Sequence, residues 1–218
     1  IPRALSDTLE SLSATDFAPC ARILRGARYV YAVACGTALH AAQAFGDIAE
    51  SEVRCPVFCC AASEFRYRDP LIGKDDLLVA VSQSGETADT LQAARLAKER
   101  GAYVLAVTNI AQSSLASLAD FTIVMRAGPE IAVAATKSYN CQLLCLYYLA
   151  AQMKYYRTQE FPDWFSQFSS LSSAAEEVFA CFPQMSALAA KFKDARGMFY
   201  LGRGADVRTA AEGALKVK

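Results

Sequence analysis

Five short apolar runs punctuate the chain, at residues 29–34, 57–62, 77–81, 103–108 and 121–125, each bounded by polar or turn-forming residues. The third, LLVAV, is unbroken and suits a strand buried on both faces of a parallel sheet. Helical spacing fills most of the gaps. Residues 37–50 follow the first run, with Thr37 at the cap position, residues 87–100 follow the third and stop at Gly101, and SSLASLAD from Ser113 makes a short turn after the fourth. A long helical stretch, residues 136–155, comes after the fifth run. The segment TQEFPDW, with Pro162, then leads into a further helix predicted over residues 163–182. Strands alternating with helices predict an α/β fold, a doubly wound, flavodoxin-like parallel sheet of five strands with helices on both faces.

In such folds ligands sit beyond the C-terminal ends of the strands. Two loops occupy that position here, CGTA at Cys35–Ala38 and SQSGET at Ser82–Thr87. The second stands between a buried strand and a helix. Unpaired backbone N–H groups and the positive end of the helix dipole therefore face it, and Ser82, Gln83, Ser84 and Thr87 add neutral donors. Gly85 lets the backbone turn closely around an anion. The loop holds no Lys or Arg, which favours a small, exchangeable phosphoester over a nucleoside triphosphate, and neither the P-loop nor the G-x-G-x-x-G spacing is present. The plainer reading is helix capping by Ser or Thr, the commoner use of such a loop, with Glu86 and Asp89 as first-turn acids. Those acids compete with an anion unless their side chains point away.

Composition narrows the class. A chain of 218 residues, 54% hydrophobic, can bury one substantial core and part of a second. Its 22 basic and 22 acidic residues cancel with no basic run, which predicts no nucleic acid and no membrane as partner. The N-terminus lacks a signal-peptide layout, so a cytoplasmic location is expected. Eight cysteines without a C-x-x-C pair read as small core residues in a reducing compartment. A zinc site at Cys141, Cys145 and the single histidine, His40, is the alternative, but structural zinc favours two close ligand pairs. No metal and no cofactor are expected.

Toward its end the chain begins again. GMFYLGRGADVRTAAEGALKVK from Gly197 resembles ARYVYAVACGTALHAAQAFGDIA from Ala27: an aromatic-rich strand, a Gly turn and an Ala-rich helix, with Gly204 standing where Gly36 stood. The expected division is a first unit at 1–160, including an N-terminal helical segment, and a linker helix with the start of a second, similar unit at 161–218. Since the pattern ends inside a helix, a truncated second domain is expected.

Taken together, CGTALH, ASEFRYR, SQSGETADT, AGPEIAVAATKSY and LGRG…AAEGALKVK resemble, in order and across nearly the whole chain, the isomerase domain of glutamine–fructose-6-phosphate aminotransferase, also called glucosamine-6-phosphate synthase. SQSGETADT marks the broader sugar-isomerase (SIS) fold, and ASEFRYR narrows it to the synthase or its close relatives. The resemblance implies two SIS subdomains, a homodimer, a preceding glutaminase domain and a hexose 6-phosphate ligand. It implies that Ser82, Gln83, Ser84 and Thr87 hold the phosphate. Cys35, Gly36, Thr37, Ala38 and the backbone near Val133 and Ala135 contact the sugar, and Lys216 serves catalysis at the sugar end. The family's proton-shuttling Glu falls at position 219, and its ring-opening His and Schiff-base Lys lie further on, so His40 is expected to be a packed or capping neutral side chain. Two departures stand out: Ala38 and Ala135 replace serines usual in the family, each removing a hydroxyl worth roughly 0.5–1.5 kcal/mol if it met the substrate.

The chemistry requires an acid–base group to open the sugar ring and a base to move a proton between C1 and C2. Glu64, Arg66 and Arg68 could reach a phosphosugar or form an ion-paired, partner-facing surface. Glu130 could act as base or be an ordinary solvated or backbone-bonded carboxylate. Glu212 and Lys216 stand one turn apart, and their plainest reading is a surface i,i+4 pair. The expected function is sugar-phosphate binding and isomerisation in hexosamine synthesis, in a fragment inactive alone. The alternatives are a stand-alone SIS amino-sugar-phosphate deglycase or isomerase, and a non-catalytic sugar-phosphate sensor.

Overall fold

A computed structural model describes all 218 residues. In chain order the elements are α1 (Pro2–Ser13), α2 (Ala21–Gly26), β1 (Val30–Ala34), α3 (Thr37–Ile48), β2 (Val57–Ala61), α4 (Ala62–Phe65), β3 (Leu77–Val81) and α5 (Ala88–Glu99). There follow β4 (Tyr103–Thr108), α6 (Ser114–Leu118), β5 (Phe121–Val124), α7 (Lys137–Thr158), α8 (Leu171–Ala180), α9 (Phe182–Phe192) and α10 (Asp206–Val217). The five strands form one all-parallel sheet in the order β2-β1-β3-β4-β5. All five expected strands are present, with ends within one residue of the predicted ones.

Strand periodicity divides the core in two. Val30, Ala32, Leu77, Val79, Val81, Leu105 and Val107 point to one side, where α1, α2, α3 and α7 pack over them. Val33, Leu78, Ala80, Val104 and Ala106 point to the other, under α4, α5 and α6. At the opposite end from the ligand loops, the buried Asp76 carboxylate takes a two-pronged hydrogen bond from Arg28 at 2.9 Å per contact and two more from the Tyr29 and Gly73 amides. That ties the start of β1 to the start of β3. No helix is long and apolar enough to cross a membrane.

Two expectations fail in the last third. The single helix expected over residues 163–182 is a 3₁₀ turn at Asp163–Ser170 followed by α8, with α9 beyond it. Aromatic packing dictates the tighter turn: Trp164, Phe165 and Phe168 reach back to Tyr147 and Tyr148 of α7. The aromatic-rich segment after Gly197 forms no strand, and Phe199 and Leu201 are about 90% exposed. A strand needs a neighbour for its backbone groups, and none lies beside this segment.

Candidate functional site

Strand order reverses between β1 and β3: the chain builds β2 on one side of β1, then crosses to build β3, β4 and β5 on the other. Loops leaving neighbouring strands in opposite directions open a crevice at such a switch point. The two loops there are Cys35–Thr37 and Ser82–Thr87. Between them lies a cleft of about 190 Å³ lined by Cys35, Thr37, Ala38, Val81, Ser82, Gln83, Ser84, Thr87, Ala135, Ser138 and Gln142. Eight of the eleven expected site residues are thereby brought together. Gly36, Val133 and Lys216 are not in the wall, and Val133 is fully exposed. A larger apolar recess of about 350 Å³, lined by Tyr29, Tyr31, Phe58 and Phe65 among others, runs along the β1–β2 edge and includes no residue of either loop.

The Ser82–Thr87 loop is tied internally rather than spent on capping. Thr87 occupies the N-cap of α5, yet its side chain makes no cap bond. Instead the Ser82 and Thr87 hydroxyls pair at 2.9 Å, and Ser82 Oγ accepts the Gly85 amide at 3.0 Å. The first amides of α5 consequently lack a side-chain partner. Glu86 turns away from the helix and accepts the Ser114 amide at 2.8 Å. That amide holds its carboxyl below the usual range, so Glu86 serves α6 rather than competing for the dipole of α5. Gly85 has φ +69°, and a Cβ there would lie 2.1 Å from Ser113 Oγ.

The third element of the site comes from far along the chain. On α10, Arg208, Glu212 and Lys216 follow at i, i+4 and i+8 and share one face. Arg208 forks onto Asp47 of α3 at 2.7 and 3.0 Å. Glu212 is buried: its Oε1 accepts from Thr37 Oγ1 at 3.0 Å and from Lys216 Nζ at 2.5 Å, and its Oε2 lies 2.7 Å from His40 Nδ1. Lys216 Nζ also donates to Thr37 Oγ1 at 2.8 Å. The surface-pair reading of Glu212 and Lys216 is thus overturned, because docking against α3 buries the carboxylate. His40 is packed, as expected, but its partner is an acid, not a backbone group. The carboxylate reaches α7 as well: burial pushes the Tyr139 phenol up to about 12, and Glu212 adds to that push.

Glu130 caps α7. Its Oε1 accepts from the Thr136 and Lys137 amides at 2.9 and 3.2 Å and from the Thr136 hydroxyl, while Oε2 accepts from Ser138 Oγ. Burial raises its carboxyl pKa, but these hydrogen bonds outweigh burial and hold it below the ordinary 4.5. A carboxylate whose lone pairs are taken up by these hydrogen bonds is a poor base. Because the folded value is depressed, the carboxylate's stabilisation is complete above the unfolded value and is lost as pH falls through the folded one. Glu130→Gln should therefore cost about 1–2 kcal/mol at neutral pH. The difference from wild type should shrink as pH drops below 4.5, read as urea midpoints along a pH series.

The remaining candidates lie elsewhere. Arg66 stacks on Tyr67 with 4.7 Å from guanidinium to ring centroid, and Arg68 donates to the Cys60 sulfur at 3.5 Å. With Glu64 they stay outside the cleft wall. Cys141 Sγ lies 3.5 Å from the Ala4 carbonyl, while His40 is engaged by Glu212, so these two residues of the zinc alternative face different partners.

Comparison with known proteins bears on the same residues. A family model described as SIS domain matches residues 23–152. The chain is 44% identical, over 228 aligned residues, to the glutamine–fructose-6-phosphate aminotransferase (isomerizing) of Clostridium acetobutylicum, covering all of this chain and 38% of that protein. It is 40% identical over 199 residues to the enzyme of the same name from Thermotoga maritima, covering 90% of the chain and 33% of the enzyme. The chain thus spans about a third of the length of the curated relatives it matches. Among solved structures, the C-terminal domain of glucosamine-fructose-6-phosphate aminotransferase from Francisella tularensis superposes with TM-score 0.88 at 28% identity, over all of this chain and 64% of that one. A phosphosugar isomerase from Silicibacter pomeroyi, so described provisionally, superposes at 0.84 and 29% identity, over 99% of this chain and 64% of that one.

Proposed function

The chain belongs to the SIS domain family, and from that premise we propose that it binds a hexose 6-phosphate and is the sugar-isomerising part of a glutamine-dependent fructose-6-phosphate aminotransferase. The observation that carries this reading is the Ser82–Thr87 loop. It lies at the switch point, ahead of a helix whose first amides have no side-chain cap, with Glu86 turned onto the Ser114 amide. A phosphate monoester supplies the acceptors those amides and hydroxyls lack.

In this reading Ser82, Gln83, Ser84 and Thr87 hold the phosphate. Cys35, Gly36, Thr37, Ala38, Ala135 and the backbone near Val133 contact the sugar. Lys216 is the catalytic residue at the sugar end. Its ammonium, hydrogen-bonded to Thr37, stabilises negative charge developing on a sugar oxygen as a proton moves between C1 and C2. The relatives' names support fructose 6-phosphate as substrate and glutamine as the amino donor; in this reading a glutaminase domain of the full-length protein supplies the ammonia. A homodimer in the cytoplasm completes the reading.

A second reading, a phosphosugar isomerase or deglycase outside any aminotransferase, is favoured by Ala38 and Ala135. Both line the cleft and offer methyl groups where a hydroxyl would bind sugar.

Isothermal titration of the chain with fructose 6-phosphate, glucosamine 6-phosphate and inorganic phosphate tests the site. Both sugar phosphates should bind more tightly than phosphate. A folded sample that binds neither at millimolar concentration overturns the proposal.

A further inference from the structure

Gln142 lies on α7, one turn beyond Ser138, and is only 2% exposed, yet it forms part of the cleft wall. Its side-chain oxygen is fully buried and accepts no hydrogen bond. Of the three buried polar side chains in the wall, the other two are engaged: Ser82 with Thr87, Ser138 with Glu130. Thr37, across the cleft, is committed to Glu212 and Lys216. The methyl groups of Ala38 and Ala135, in the same wall, offer Gln142 no partner.

A buried amide acceptor left unpaired destabilises the empty protein, and native structures rarely keep one without a use. The missing partner must be a donor. That excludes the phosphate of the ester, a dianion near neutral pH whose oxygens accept, and it fits an alcohol. A sugar hydroxyl both gives and takes a hydrogen bond, so it suits either end of the carboxamide.

We propose that Gln142 reads a hydroxyl of a phosphorylated sugar whose phosphate rests on the Ser82–Thr87 loop, supplying recognition that Ala38 and Ala135 do not. The inference rests on the reading of that loop as the phosphate site.

Gln142→Met keeps the length and approximate volume of the side chain and removes the amide. The empty variant should be as stable as wild type or more so, since it loses an unpaired polar group and no hydrogen bond. Its affinity for fructose 6-phosphate and glucosamine 6-phosphate should fall about three- to tenfold, the worth of one hydrogen bond. Its affinity for inorganic phosphate should not change. An amide with only a structural role predicts the reverse, a less stable protein that binds normally. Unchanged hexose phosphate affinity, or an equal loss toward inorganic phosphate, overturns the assignment.

A measurement on the wild-type chain covers the case in which the variant fails to fold. The Gln142 side-chain amide resonances should move on adding fructose 6-phosphate and stay in place on adding inorganic phosphate, and no movement with the sugar phosphate overturns the assignment. If the wild-type chain binds neither ligand, the phosphate reading fails and takes this inference with it. Hexose phosphate binding that is indifferent to Gln142 overturns this inference alone.

Discussion

Gly85→Ala is expected to destabilise the protein by about 2–5 kcal/mol and to weaken phosphate binding about tenfold or more. Two separate terms make up the cost. At φ +69° an L-residue pays about 1–2 kcal/mol for the left-handed conformation. The new methyl would then lie 2.1 Å from Ser113 Oγ and 2.9 Å from Thr108 Oγ1, an overlap that forces the loop away from α6 and costs about 1–3 kcal/mol more. Gly101 separates the terms. Its φ is +78°, but a Cβ there meets nothing within 4 Å, so Gly101→Ala should cost only about 1–2 kcal/mol. Urea midpoints of the two variants, compared at equal slope, give the difference. Equal losses would show that the loop does not approach α6 as closely as described. The binding loss follows from the same displacement. The Gly85 amide is held by Ser82 Oγ and its carbonyl by the Leu115 amide, so moving this residue re-aims the hydroxyls around it. A tenfold loss corresponds to about 1.4 kcal/mol of misdirected hydrogen bonding.

The sheet was legible in the sequence because each strand is a short apolar run whose neighbours break it. Leu77–Val81 is buried at every position, and the pattern shows it without any tertiary information. The last segment shows the limit of that reasoning. GMFYLG has the composition of a strand, but a strand is a pairing rather than a composition, and no strand lies beside it to pair. Residues 163–182 failed for a related reason: their helical spacing is genuine, but the contacts of Trp164 and Phe168 with α7 decide where a regular turn can start.

At the site, the loops could be read from their place after buried strands. What Gly85 approaches, and where Glu86 points, could not, since both depend on α6 lying across the loop. Glu212 and Gln142 escaped for different reasons. Gln142 sits among apolar residues in a long helix and carries no local signal that it joins the cleft wall with its amide oxygen unpaired. Glu212 did carry one. A helix face bearing Arg208, Glu212 and Lys216 at intervals of four, on a helix otherwise rich in Ala, is well suited to docking on another polar face. The α3 face offering Thr37, His40 and Asp47 is its complement. Neither stripe suffices alone, because a charged stripe is usually solvated, and only their pairing turns it into an interface.

That pairing sets the second large effect. Glu212→Ala should destabilise the docking of α10 by about 2–4 kcal/mol, somewhat below the usual cost of breaking a buried ion pair, because the Lys216 and His40 side chains keep 25% and 19% exposure. Three donors lose their acceptor together: the Thr37 hydroxyl, the Lys216 ammonium and His40 Nδ1. The loss should be local. Helix α10 rests on α3, whereas α3 is held independently by α7 and β2. Amide exchange should therefore accelerate along Asp206–Val217 while the strand amides stay protected, the signature of sub-global opening. Glu212→Gln keeps an acceptor for Thr37 and loses the charge, so it should fall between the two. Arg208→Ala removes only a half-exposed fork and should cost about 0–1 kcal/mol. The cycle with Lys216→Ala supplies the test: if the two changes add without coupling, the carboxylate does not anchor the lysine. Coupling above about 1 kcal/mol would instead show that Glu212 sets where the Lys216 ammonium stands against Thr37. Removing the acid would then displace the proposed catalytic group from Thr37, at the edge of the cleft, while leaving the Ser82–Thr87 loop intact. Affinity for inorganic phosphate should accordingly survive Glu212→Ala, and affinity for the sugar phosphates should not.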